Sequence, residues 1–230
     1  QGLETCTAKN TANKNNNVPE KIKEIDDKFE VIVIKTIATV CDVCRKQLPN
    51  YLVHFFNVFN NLLQYESNVS QFTRGKLARC IGYIIECQYE LGPETQAKYI
   101  VQFLDMINGY VDTCLSSDPS SITSQQVDYI HTMLECISEF GSSMINNNEE
   151  ENEQLLQQLP HYQQFWAADP SGCRTRVMGL IEKILTNSIY STNSSFIEVA
   201  CLLLGKTLIL KEVEPHFLKF SMADIIQFVL

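Results

Sequence analysis

Apolar residues recur at helical spacing along almost the whole chain. Between about residues 20 and 46 they include Ile22, Ile25, Phe29, Ile32, Val33, Ile37, Val40 and Val43. The run Val31–Ile34 is β-branched, which suits a strand. Its flanks nevertheless keep a 3.6-residue period for more than two turns each way with no turn signal, so a helix is expected. Pro49 ends it or opens the next one. That next helix carries Leu52, Phe55, Phe56, Phe59, Leu62 and Leu63, and another spans about Val69 to Tyr89 with Leu77, Ile81, Ile84 and Ile85 on one face. Gly92-Pro93 breaks the chain. Ile100, Phe103, Leu104, Ile107, Val111 and Cys114 then form a clean amphipathic stripe.

The second half repeats the theme. Asp118-Pro119 marks a loop, and Thr123 or Ser124 is placed to cap a helix holding Val127, Ile130, Met133, Leu134, Ile137 and Phe140, with Gly141 at its end. Residues 146–153 are asparagine followed by glutamate, a like-charged run that stays solvated as an acidic loop. Leu155–Trp166 holds a helical turn or more, and Pro170-Ser-Gly172 breaks again. Two further stripes follow, Val177 to Leu185 and Phe196 to Leu208, and Pro215 opens a final helix carrying Phe217, Phe220, Ile225, Ile226 and Phe228.

No strand emerges from this pattern. Helix pairs joined by short polar turns recur about every 40 to 50 residues, near the period of HEAT repeats. One such pair cannot bury its own stripe, and stacked neighbours complete a continuous core. The expected fold is therefore all-α, an α-solenoid of antiparallel helix pairs of HEAT type over residues 19–230. Residues 1–18, polar and ending in Asn15-Asn16-Asn17, are expected to be a disordered tail or a loop. Gln at position 1 and the apolar end Phe228-Val-Leu230 fit a segment of a longer solenoid.

Charge and cysteine usage narrow the partners. The formal net charge is -9 and the pI about 5.0, which disfavours nucleic acid as a direct partner because phosphate binding needs clustered Lys and Arg. The most apolar runs, Phe29–Val43 and Phe196–Leu210, are interrupted by Lys35, Asp42, Glu198 and Lys206, so neither inserts into a membrane. The nine cysteines are scattered through apolar runs, as free thiols in a reducing compartment would be. Cys41-Asp-Val-Cys44 has metal or redox spacing but no second ligand pair, so it is expected to be two core cysteines one turn apart.

No enzyme constellation appears. The histidines His54, His131, His161 and His216 are dispersed, and nucleophile-elbow, zinc-protease and phosphate-loop motifs are lacking, so neither catalysis nor a cofactor is expected. Glu24, Asp26 and Asp27 are expected in a first helical turn, where they complement the dipole. Arg174 and Arg176 open a helix, unfavourably unless an acidic group compensates. Trp166, next to Phe165 in a loop-like stretch, is either a partner anchor or a plug between helices. Glu149, Glu150 and Glu151 could attract a basic partner.

Leu77-Ala-Arg-Cys-Ile-Gly-Tyr-Ile-Ile-Glu86, Ala97-Lys-Tyr-Ile-Val-Gln-Phe-Leu104 and Val127-Asp-Tyr-Ile-His-Thr-Met-Leu-Glu-Cys-Ile137 resemble consecutive HEAT helices of the importin-β (karyopherin-β) superfamily, in the flavour of its transportin-SR-like branch. Arg176–Leu185, Phe196–Cys201 and Pro215–Leu218 continue the likeness to the C-terminal half of such receptors, so that it covers roughly residues 50–230. The resemblance implies a nuclear transport receptor. It would bind protein cargo on its concave side, Ran GTPase in its GTP form chiefly through N-terminal repeats without a counterpart here, and nucleoporins between outer helices. It would move between cytoplasm and nucleus. On this mapping the helices near 70–89, 123–141 and 194–210 line the concave side, with Arg74, Lys76, Arg79, Asp128 and Glu135 among the residues able to meet cargo or Ran. The alternative is a HEAT scaffold subunit of a multiprotein complex, indifferent to the nucleotide on Ran.

Overall fold

A computed structural model describes residues 20–64, 69–116, 123–145, 152–188, 190–191, 193–209, 216–221, 223 and 225–226. Eight α-helices run through them: α1 (Glu20–Val43), α2 (Leu52–Leu62), α3 (Gln71–Glu86), α4 (Pro93–Leu115), α5 (Ser124–Ser143), α6 (Asn152–Ala168), α7 (Cys173–Thr186) and α8 (Ser194–Ile209). No strand occurs among the described residues, and the β-branched run Val31–Ile34 lies inside α1. The tail at 1–18 and the acidic residues 146–151 lie outside the described residues.

Local chemistry sets the boundaries. Pro49 opens a short 3-10 turn, Pro49–Tyr51, which leads into α2. Ser70 caps α3 by accepting from the Thr73 amide. Gly92, at φ 82°, adopts a left-handed conformation that Cβ would strain, and Pro93 follows at the first position of α4. Thr123 forms a full capping box with Gln126 at the start of α5.

The helices stack in two layers. α1, α3, α5 and α8 lie side by side in that order, each against the next, while α2 and α4 pack beneath α3 and α5, and α7 packs against both α4 and α8. The pairs α2/α3, α4/α5 and α7/α8 therefore repeat one arrangement, and α6 is an additional helix laid against α4. This is the helix-pair stack that the hydrophobic period implies.

The core between the layers is organised on rings. Phe59 of α2 stacks on Phe103 of α4 at 5.4 Å, Phe103 stacks on Phe140 of α5 at 4.1 Å, Phe140 meets Phe217 edge-on at 5.7 Å, and Phe217 reaches Trp166 of α6 at 6.5 Å. Each ring is essentially buried, and such pairs add about 0.5–1.5 kcal/mol each beyond the area they bury.

Several boundaries differ from the sequence reading. α6 covers all of Asn152–Ala168 and passes through Pro160, so Trp166 sits in a helix rather than a loop. α5 continues through Gly141 to Ser143. Gly141 does not end it, and instead leaves room for Leu218 and His216, whose Nε2 lies 3.0 Å from the Gly141 carbonyl. Phe217 and Leu218 form a turn and Lys219 and Phe220 continue as irregular chain, so the expected final helix does not begin there, although Ala223, Ile225 and Ile226 are helical. α1 begins at Glu20, which puts Glu24, Asp26 and Asp27 beyond its first turn.

Candidate interaction surface

The joint between α3 and α5 is the closest in the stack, and glycine makes it so. A Cβ built on Gly82 would lie 2.7 Å from the Phe140 carbonyl oxygen and collide with the Ser143 side chain. Only a residue without Cβ lets the two backbones approach this far. With the helices so near, the polar side chains on their exposed flank meet in a ladder. Gln71 donates to the Glu135 carboxylate and stands 3.1 Å from His131 Nδ1. One turn and more further on, Glu139 receives Lys76 Nζ at 3.2 Å and Arg79 Nε at 2.7 Å. The Arg79 contact is ionic, without an N–H aligned on the oxygen. Lys76 also lies 5.3 Å from the centre of the partly exposed Phe72 ring, and Lys35 of α1 lies 5.7 Å from it.

This flank therefore carries alternating charge rather than a field of one sign. The side chains of these pairs are only 20–33% exposed, and at such partly screened positions each pair is worth on the order of 1 kcal/mol.

The residues singled out from sequence fall into three groups. Lys76, Arg79 and Glu135 belong to the ladder, and Asp128 is exposed on α5 one turn before it. Arg74 and Trp166 are instead buried, at 7% and 5% exposure. Arg74 Nε donates to the Leu62 carbonyl at 2.8 Å and its guanidinium lies 5.8 Å from the Tyr129 ring, so it braces the α2–α3 turn against α5. Trp166 is the inter-helix plug, packed edge-on against Phe165 at 5.1 Å. Glu149, Glu150 and Glu151 lie outside the described residues. The residue missed was Glu139, on which both cations converge. No spacing within α5 signals it, because both cations lie on α3.

Beside the ladder, Glu30 of α1 caps the adjoining end of α3, accepting from the Ser70 amide at 3.1 Å, the Ser70 hydroxyl at 2.6 Å and the Thr73 hydroxyl at 2.5 Å. Burial works to raise its pKa, but these hydrogen bonds and the charge of Arg74 overcome it and hold the carboxyl below 4.5. The arginines that open α7 are also compensated. The Asp169 carboxylate accepts from the Cys173 and Thr175 amides at 2.8 and 3.1 Å, Arg176 pairs with Asp105 at 2.7 Å, and Arg174 donates to the final carbonyls of α6, Trp166 and Ala167. Cation and helix C-terminus thus complement each other.

Of the Cys41-x-x-Cys44 pair, Cys41 is buried and Cys44 half-buried, and no group of three or more His, Cys, Asp or Glu side chains among the described residues is placed to hold a metal.

Against this stack, the family model of the importin beta-like KAP122 middle domain matches residues 1–144, well over half of the chain. The chain belongs to this importin beta-like family. No curated protein matches it significantly. The match covers α1 to α5, and so the whole of the glycine-tightened joint and its ladder. Importin beta-like proteins are karyopherin-type transport receptors rather than enzymes, which places protein transport ahead of catalysis for this fold.

Proposed function

We propose that this chain is part of a nuclear transport receptor of the transportin-SR-like branch, and that the flank of α3 and α5 meets protein cargo or Ran in a Ran-GTP-dependent cycle between cytoplasm and nucleus. The observation that carries the reading is the importin beta-like family match, extending over helix pairs whose exposed flank bears exchangeable ion pairs. Lys76, Arg79, Asp128, Glu135 and Glu139 are the residues in play, and nucleoporins would engage the opposite layer. Effector and cargo would act by favouring different curvatures of the stack, so that binding of one changes the affinity for the other.

Residues 19–230 then form one stretch of a longer HEAT solenoid. α1 supports this, because Phe29, Ile32, Val40 and Val43 run along it uncovered, Phe29 at 67% and Val43 at 79% exposure. A stripe of this kind is what a further helix pair of the same type buries.

The test is affinity capture from cell extract with the natural polypeptide that contains this chain, with and without GTP-locked Ran. The reading requires that Ran-GTP binds and changes the co-captured set, and that Lys76→Glu with Arg79→Glu alters that set while the protein stays folded. Indifference of the set to Ran-GTP would overturn the transport cycle.

A further inference from the structure

Between α1 and α3 lies a small apolar cluster separate from the main core. It consists of Ala38, Cys41 and Cys80, walled by Leu48, Phe55 and Tyr83. Cys41 is 1% exposed and Cys80 fully buried. Both thiols thus face into one small buried cluster, Cys41 from α1 and Cys80 from α3. Neither is used by the ladder.

We propose that Cys41 and Cys80 are a modification site at which hydrogen peroxide, or a hydroperoxide of that class, converts the two thiols to a disulfide that stitches α1 to α3. The Cys41 thiol gives up its proton as its sulfur attacks one peroxide oxygen, the O–O bond breaks, and the departing hydroxide takes up that proton as water. Cys41 is then a sulfenic acid. The Cys80 sulfur attacks the Cys41 sulfur, the S–S bond forms as the S–O bond breaks, and the departing hydroxide takes up the Cys80 proton as a second water. Two thiols lose two electrons and one peroxide gains them.

The roles follow from this arrangement. The neighbouring Cys80 thiol lowers the Cys41 pKa against the opposing effect of burial, whereas Cys41 and burial both raise that of Cys80. Cys41 is the attacking thiol and Cys80 the resolving one.

Access is the controlling step. The pair is sealed while α1 lies on α3, and α1 is held there by the Glu30 cap at one end and by the ion pair of Arg45 with Glu86, 2.9 Å, at the other. The opposite face of α1 touches no described helix, so α1 can lift locally at lower cost than the inner helices. Peroxide therefore reads the α1–α3 joint when it opens, and the disulfide fixes that joint closed.

The experiment treats the reduced chain with hydrogen peroxide, blocks remaining thiols with N-ethylmaleimide in denaturant, and maps disulfides by peptide mass spectrometry. The expected product is one intramolecular bond joining residues 41 and 80, lost on treatment with dithiothreitol and accompanied by a higher thermal midpoint than the reduced chain. Glu30→Gln, which loosens the cap, is expected to speed its formation severalfold. Three results would each overturn the proposal. One is that both thiols remain free to react with maleimide after peroxide. Another is that cross-links are spread among other cysteines such as Cys44, Cys87 and Cys201. The third is that Cys41 proceeds to sulfinic acid without a bond to Cys80. Because the mapping is done on the unsubstituted chain, it does not depend on any cysteine variant folding.

Discussion

Replacing Gly82 by alanine tests the closest joint of the stack. At an exposed position inside a helix, glycine to alanine stabilises by up to about 1 kcal/mol, through the unfolded chain. Gly109 in α4 is such a position, with no atom within 4 Å of a built Cβ. At Gly82 the added methyl meets the Phe140 carbonyl at 2.7 Å and displaces the Ser143 hydroxyl, which itself donates to that carbonyl at 2.7 Å. A backbone oxygen cannot swing aside as a side chain does, so α3 and α5 must separate. Overpacking of this kind costs typically about 1–3 kcal/mol. Set against the gain of about 1 kcal/mol, the net loss at Gly82 is up to about 2 kcal/mol. For a chain of this size each kcal/mol moves the thermal midpoint by about 2–4 °C. Urea and thermal unfolding of the two variants should therefore move in opposite directions, Gly109→Ala upward and Gly82→Ala downward. If Gly82→Ala stabilises as Gly109→Ala does, the close approach of α3 and α5 is wrong.

Four further outcomes follow from particular contacts. Phe103→Ala removes the ring between Phe59 and Phe140 and should cost about 3–5 kcal/mol in urea unfolding. Arg74→Ala leaves the Leu62 carbonyl without its donor and should cost about 1–3 kcal/mol, without the salt sensitivity expected of Lys76→Ala. Glu30 contributes stability that is present above its unfolded pKa of about 4.5 and is lost as pH falls through its lower folded value. Glu30→Gln should therefore flatten the acid limb of a stability–pH curve measured by urea midpoints, and an unchanged acid limb would exclude the Glu30 cap. Trp166 is the sole tryptophan and is buried, so its emission should be blue-shifted and move to the red as α6 leaves the core, and a solvent-exposed spectrum in the folded chain would contradict the plug.

The helices were legible because each stripe keeps its period over several turns, and the cap at Thr123 and the break at Gly92-Pro93 follow from local chemistry alone. Trp166 was misread as loop because Pro160 and the polar run before it weaken the helical signal, while packing of Tyr162 and Trp166 into the core holds α6 together regardless. Phe217 and Phe220 have the spacing of a helix, yet Phe217 is drawn into the ring series beside Phe140 and the chain turns there. Arg74 shows the limit on the site side. Sequence places it on the same helix as Lys76 and Arg79, but only the approach of the Leu62 carbonyl and Tyr129 decides that it points inward. Glu139 shows the reverse, since its partners lie on another helix and no spacing within α5 reveals them.

The ring series has a mechanical consequence. When a two-layered rod bends, one layer shortens, the other lengthens, and the plane between them keeps its length. Phe59, Phe103 and Phe140 lie near that plane, whereas the pairs of Lys76 and Arg79 with Glu139 lie on one surface and those of Arg176 with Asp105 and Lys183 with Asp112 join α4 and α7 in the other layer. The aromatic contacts thus act as a neutral axis. Flexing leaves the dense, costly packing undisturbed and is accommodated by ion pairs that water and salt readily replace, so the stiffness of this rod is set at its surfaces and should soften as ionic strength rises.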